Sequence, residues 1–374
     1  MEFTLVVPQG LEDVGAQELA AFGASNICIH RNTLSFTSDL ACFYRIHLLA
    51  RIPFRIFRQI SKFDCCNPQS LYINIQNSFQ WELLLSPSMT FRVDISGKHN
   101  NLPHSHFTAL QVKNAIVDYQ RNLWNKRSNI DIQNPDICLH LHLNNYLCTL
   151  SLSGSNSSLH RRGYKSAMGI APLKENLASG LIKLTGWKGE VPLIDPFCGS
   201  GTFLLEAVAS NLGIASGLNR NFSFQNWHDF DVNIWNREKE KAKKFQKLNK
   251  KLPPIIGCER NIDVFNQARI NIDSADLTKH IDLRNIDYKD IILPNQEGII
   301  VCNPPYGNRV GNVSDLPNLY SDLGNFLKKR ASGWDLWLLS GNSELTAYLG
   351  MKSSRKFPVT NGSIDCRWMH YKIH

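Results

Sequence analysis

Val191-Pro192-Leu193-Ile194-Asp195-Pro196-Phe197-Cys198-Gly199-Ser200-Gly201-Thr202-Phe203-Leu204-Leu205-Glu206 is a short apolar strand that ends on an acid, then a glycine-rich loop, then the opening of a helix. Glycines let a backbone approach a ligand closely, and the first turn of a helix offers free N–H groups and a partial positive charge to an anion. A dinucleotide fingerprint would need glycine at 199, 201 and 204, but position 204 is leucine. A phosphate-binding P-loop would need Lys-Ser/Thr where Phe203-Leu204 stand. The loop therefore suits a smaller anion such as an amino-acid carboxylate, which leaves Asp195 for an ammonium group.

Working outward, Ile255-Ile256-Gly257-Cys258-Glu259 and Ile281 to Asp287 repeat the pattern of an apolar strand that ends on an acid. A carboxylate after the second strand can bind both hydroxyls of a ribose, and one after the third can accept from an adenine amine. Gly298-Ile299-Ile300-Val301-Cys302 then runs into Asn303-Pro304-Pro305-Tyr306-Gly307. The two prolines remove two N–H donors, so this rim presents acceptors, the Asn303 side-chain carbonyl and the Pro304 carbonyl, with Tyr306 as a flat face beside them. Two acceptors and an aromatic ring match an exocyclic amine on a planar base. Strands alternate with helices from Leu173 onward, which predicts a parallel sheet covered on both faces and finished by an antiparallel hairpin at Asn361-Gly362. In open α/β sheets ligands sit at the carboxyl ends of strands, so Asp195, Glu259, Asp287 and Asn303 are expected to converge on one crevice.

The first half reads differently. Its β-α-β-β-α start, from Phe3 to about Ala50, predicts a small α+β unit. A second unit follows with strands near 56–63 and 89–95, a helix over Leu71–Leu85, a long helix Phe107–Trp124, and strands 136–143 and 146–152 joined at Asn144-Asn145. Ser153–Ser158 reads as a linker of small polar residues. The basic and aromatic stretch His160-Arg161-Arg162-Gly163-Tyr164-Lys165 follows, suited to gripping phosphate as well as to a solvated hinge.

The 374 residues carry a net charge of +9, which favours a polyanionic partner, and nearly all of the excess lies after residue 154. Much of it is the run Arg237 to Lys251, the expected solvated face of a helix. Ten cysteines have no C-x-x-C pair and no zinc-type spacing, so no metal is expected and a reducing, cytoplasmic setting is. No window has the roughly 20 apolar residues of a membrane span, and the N-terminus lacks the pattern of a secretion signal.

Asp195–Glu206 and Val301–Gly307 resemble motifs I and IV of class I S-adenosylmethionine-dependent amino-methyltransferases. His160–Lys165, Ala171-Pro172-Leu173-Lys174-Glu175-Asn176-Leu177-Ala178, Leu339-Ser340-Gly341-Asn342 and Asn361-Gly362 extend that likeness to the THUMP-domain RNA guanine-N2 methyltransferases, specifically the bacterial 23S rRNA members. The resemblance implies an α/β architecture: a Rossmann-like methyltransferase domain, a mostly parallel seven-stranded sheet with an antiparallel last strand, behind an N-terminal α+β ferredoxin-like plus THUMP region. The boundaries expected are 1–52 ferredoxin-like, 53–154 THUMP, 155–171 linker and 172–374 methyltransferase. It further implies S-adenosylmethionine held by Asp195, Phe197, Gly199, Ser200, Gly201, Thr202, Glu259 and Asp287. Methyl transfer to guanine N2 is expected at Asn303, Pro304, Pro305 and Tyr306, with RNA contacts from Arg161, Arg162, Tyr164 and Lys165. Two departures stand out: Glu259 replaces the family's usual Asp, and Asn285-Ile286-Asp287 replaces its commoner Gly-Asp pair. The other readings are a tRNA guanine-N2 enzyme, an adenine-N6 DNA enzyme and a non-catalytic RNA-binding protein. A C5-pyrimidine enzyme would need a nucleophilic thiol at Cys198 or Cys302.

Overall fold

A computed structural model describes residues 1–165, 173–306 and 313–374. The quoted residues Ala171, Pro172 and Gly307, and part of the expected linker, lie outside them. Two sheets organise the chain. The first unit is β1 (Glu2–Val6), α1 (Glu12–Ala21), β2 (Ser25–His30), β3 (Thr33–Thr37) and α2 (Leu40–Leu49). Then come β4 (Arg55–Asp64), α3 (Pro68–Asn77), α4 (Trp81–Leu84), β5 (Thr90–Lys98), α5 (Ser105–Trp124), β6 (Asn129–Ile130), β7 (Ile137–Asn144) and β8 (Leu147–Ser153). All eight strands form one continuous sheet in the order β2-β3-β1-β4-β8-β7-β5-β6. The two N-terminal units thus share a sheet, because β4 pairs antiparallel with both β1 and β8.

Two local expectations are corrected here. The single helix predicted over Leu71–Leu85 is two, since Trp81 folds back and its indole N–H donates to the Ile75 carbonyl at 2.9 Å, which breaks the helical run. Ser153–Ser158 is not a loose linker. Ser153 and Ser155 are buried, the Gly154 N–H donates to the Ile56 carbonyl, and the Leu159 N–H donates to the Phe54 carbonyl. A Cβ on Gly154 would lie 2.4 Å from His47 Nε2, so these residues are small because the chain runs tight against α2.

The second half contains α6 (Glu175–Thr185), β9 (Leu193–Asp195), α7 (Thr202–Asn211), α8 (Val232–Phe245), β10 (Ile255–Cys258), α9 (Ile262–Ser274), β11 (Asp282–Arg284) and β12 (Ile299–Cys302). It closes with α10 (Leu316–Arg330), β13 (Asp335–Ser340), α11 (Ser343–Ala347), β14 (Arg355–Asn361) and β15 (Ile364–Lys372). These seven strands order as β11-β10-β9-β12-β13-β15-β14, parallel throughout except β15, which pairs antiparallel with both its neighbours. The hairpin turns at Gly362, which holds φ at +68° without a steric penalty. This is a Rossmann-like sheet with apolar clusters packed on either side.

The halves are joined by a large aromatic cluster. Phe43, Tyr44 and His47 of α2 meet Phe222, Phe224, Trp227 and Trp235, with Phe43 stacked on Trp227 at 5.5 Å and Tyr44 on Phe224 at 5.0 Å. Such pairs add about 0.5–1.5 kcal/mol each beyond the area they bury, so the two sheets are fixed against each other rather than tethered.

Candidate active site

Asp195 ends β9, and Glu259, Asp287 and Asn303 follow β10, β11 and β12, so the four residues stand at the C-terminal edge of four adjacent strands. The loop after β9 is a tight turn: the Gly201 N–H donates to the Cys198 carbonyl at 2.8 Å, and Gly199 and Gly201 sit at φ +53° and +81°. A Cβ added to Gly199 meets nothing within 4 Å, which leaves open space over the loop. Beneath it Gly257 is needed for close approach, since its Cβ would lie 2.3 Å from Leu204 of α7. Asn271 of α9, buried and unmarked by any sequence signal, donates to the Ser200 carbonyl at 3.1 Å and braces the loop from below.

Asp195 is 1% exposed. Burial, aided by the nearby Glu259 charge, raises its carboxyl to about 8 even though Oδ1 accepts the Phe197 N–H at 3.1 Å. Among the described residues no cation forms an ion pair with this buried acid, so its charged form is disfavoured. Glu259 accepts the Asn261 N–H, Asp287 accepts the Lys289 N–H, and Asp287 is also 3.8 Å from the exposed guanidinium of Arg260. Phe197 packs on Tyr288 at 5.0 Å, a wall of the crevice next to Asp287.

On the acceptor side, Asn303 Oδ1 is buried and has no hydrogen-bond partner among the described residues. Such an atom costs about 1–3 kcal/mol unless something donates to it. Tyr306 is anchored from behind: its hydroxyl accepts from Asn361 Nδ2 at 2.9 Å, and its ring edge lies 3.1 Å from where a Cβ on Gly341 would be. This gives Leu339–Asn342 and the terminal hairpin a part in the site, as buttresses of one ring. Cys198 and Cys302 are buried and their thiols are pushed well above the ordinary range by desolvation, so neither is a thiolate nucleophile.

The expectation that Arg162, Tyr164 and Lys165 grip phosphate is corrected. Arg162 Nε lies 3.4 Å from Glu206 Oε1, and Tyr164 donates its hydroxyl to the same oxygen at 2.7 Å. Lys165 Nζ donates to the Leu173 carbonyl and to Thr202 Oγ1. All three turn inward onto α7, whose first turn is the cofactor loop, and only Arg161 points to solvent. Arg51 of the N-terminal half completes the cluster, with Nη1 3.0 Å from Glu206 Oε2. Burial alone would raise the Glu206 carboxyl, but Arg162, Arg51 and the Tyr164 hydroxyl outweigh it and hold it below the usual range.

The strand order, the glycine turn and the strand-end acids define a class I S-adenosylmethionine-dependent methyltransferase. Family models agree along the chain: an RMKL-like methyltransferase domain matches residues 162–370, a THUMP domain 75–153 and an RlmL ferredoxin-like domain 2–57. The chain belongs to the RMKL-like methyltransferase family. It is 41% identical over 98% of its length to "Putative RNA methyltransferase slr0064" of Synechocystis sp., covering 96% of that protein. It is 35% identical over its whole length to the ribosomal RNA large subunit methyltransferase K/L of Syntrophotalea carbinolica, of which it spans 54%, about half. The structure of SMU.472 complexed with SAH shares the fold with a TM-score of 0.89 at 22% identity, covering 100% of this chain and 98% of that one. Among the described residues no helix is long and apolar enough to cross a membrane, and no cluster of His, Cys, Asp and Glu is arranged to hold a metal.

Proposed function

We propose that the protein methylates the exocyclic N2 amine of a guanine in 23S rRNA. The observation that carries this reading is Asn303 Oδ1, buried and without a hydrogen-bond partner among the described residues, beside a proline-blocked backbone and an anchored Tyr306. The name of the K/L relatives supports rRNA as the substrate. The site residues suit S-adenosylmethionine: Gly199–Thr202 would hold its carboxylate, Asp195 its ammonium, Glu259 its ribose and Asp287 its adenine. The cofactor supplies an electrophilic methyl group on a sulfonium.

Guanine N2 shares its lone pair with the ring and is a poor nucleophile in that state. Acceptance of its two hydrogens by Asn303 Oδ1 and the Pro304 carbonyl holds the amine toward the methyl and favours the pyramidal nitrogen of the transition state. Tyr306 stacks on the base and fixes its plane, with the target nucleotide turned out of any helix it occupies. No strong base is required, because the nitrogen becomes acidic once it carries the methyl.

Purified protein with labelled S-adenosylmethionine, offered 23S rRNA, tRNA and duplex DNA in turn, tests the proposal. N2-methylguanosine in digested rRNA is the expected product. Label in tRNA or N6-methyladenine in DNA would replace the reading, and transfer to none of them would end it.

The raised Asp195 carboxyl gives a pH prediction. It must be ionised to meet an ammonium, so cofactor affinity should increase as pH rises toward about 8, with a proton released on binding below that pH. The sign for folding is opposite: the folded form holds this proton where the unfolded form has lost it, so ligand-free stability falls as pH rises from the ordinary carboxylate range to about 8. Calorimetry in two buffers of different ionisation enthalpy reads the released proton. In Asp195→Asn affinity should drop and the pH dependence vanish; a pH-independent wild-type affinity would remove Asp195 from the ammonium site.

A further inference from the structure

A cluster of lysines lies at the starts of β10 and β11, the end of the methyltransferase sheet opposite the strand-end acids. Lys241 and Lys243 of α8 are paired with Glu238 and Glu240, as on an ordinary solvated helix face. From Lys244 onward the pairing stops: Lys244, Lys247, Lys250, Lys251 and Lys279 have no ion pair among the described residues. The helix ends at Phe245, and the loop after it faces the turn before β11 across a cleft of about 720 Å³. Lys250, Lys251, Lys279 and His280 line this cleft. Its one acid, Asp282, is paired with Arg284 at 2.5 Å. Two large apolar side chains stand out among the lysines, Phe245 61% exposed and Leu248 54%.

Lys250, Lys251 and Lys279, none of them in an ion pair among the described residues, line one concavity and repel one another, and a solvated surface has no reason to gather them there. A polyanion relieves that repulsion, and an exposed phenyl ring beside a basic groove gives its bases a face to stack on. The cleft opens at the starts of β10 and β11, whereas the crevice lies at their ends, about 13 Å away along a four-residue strand. A nucleotide in the crevice therefore does not fill the cleft, but RNA that continues past the target reaches it round β11, the edge strand of the sheet.

We propose that this cleft is a second RNA-binding site, which grips the sugar–phosphate backbone of the substrate away from the target base without reading its sequence. It rests on the RNA-methyltransferase reading above. It supplies affinity and leaves the chemistry untouched, so it acts on KM and not on kcat.

The test is steady-state methylation of naked 23S rRNA by the full chain, wild type against Lys250→Ala/Lys251→Ala/Lys279→Ala, across a range of salt. The triple variant should show a KM raised roughly tenfold or more at low salt, an unchanged kcat, and a slope of log affinity against log salt shallower by about 2, from three lost phosphate contacts. The Lys→Arg triple variant should behave as wild type, and Phe245→Ala should raise KM alone. Unchanged cofactor binding by calorimetry checks that the variants fold. An active wild type whose KM and salt slope are untouched by the triple variant overturns the inference alone. So does a defect seen only with protein-containing ribosomal particles, which would make the occupant a protein. A wild type inactive on every RNA instead overturns the functional reading itself.

Discussion

Asn303→Ala is expected to lower kcat by at least roughly 10²–10³-fold, the cost typical of removing one group aimed at a transition state, while cofactor affinity stays within about twofold. The physical basis is the state of Oδ1, which is buried without a partner among the described residues. Folding leaves that atom unsatisfied, so the native structure bears its desolvation cost for whatever donates to it in the complex. Alanine removes both the acceptor and the cost. The same substitution should therefore leave the melting temperature unchanged or slightly raised, a sign that a merely structural asparagine would reverse. Labelled-methyl transfer, calorimetry with S-adenosylhomocysteine and a thermal melt read the three quantities. An active Asn303→Ala enzyme would discard the acceptor mechanism, and a strongly destabilised one would reassign the side chain to folding.

Glu206→Ala is expected to be the most destabilising single change in the molecule. Its carboxylate is fully buried, with Arg51 on one oxygen and Arg162 with Tyr164 on the other. Deleting it strands two buried guanidinium groups, a situation that costs about 3–5 kcal/mol and lowers the melting temperature by on the order of 10 °C. Removing the partner as well should help: Arg51→Leu/Glu206→Leu should be less destabilised than the sum of its single variants. Stability from this group is present above the ordinary glutamate pKa and lost as pH falls through its depressed folded value, so Glu206→Ala should flatten the acid limb of the stability curve. Because α7 begins in the glycine turn, cofactor affinity should fall with it. A loss under about 1 kcal/mol would mean that solvent reaches the cluster after all.

What could be read along the chain was whatever the backbone writes locally. Gly199 and Gly201 are required by positive φ, Pro304 and Pro305 by missing donors, and the acids at 195, 259 and 287 stand where apolar runs end. The three-residue β9 and β11 were legible only because they recur with the spacing of a parallel sheet. The serine run and the basic stretch after it misled for one reason. Composition tells polar from apolar, but not whether a polar side chain faces water or a buried partner. Gly154 is small because His47 lies against it, and Arg162 is basic because Glu206 lies beneath it.

The sequence by itself determined the methyltransferase sheet, the glycine turn, the strand-end acids and the proline-blocked rim at Asn303, since each is set by residues adjacent in the chain. Only the tertiary structure decided that the N-terminal units share one sheet, that Glu206 ties Arg51 to the cofactor helix from 155 residues away, and that unpaired lysines gather on a cleft behind the site. Those are contacts between distant segments, and their energy comes from burial and charge pairing that exist only once the chain has closed on itself.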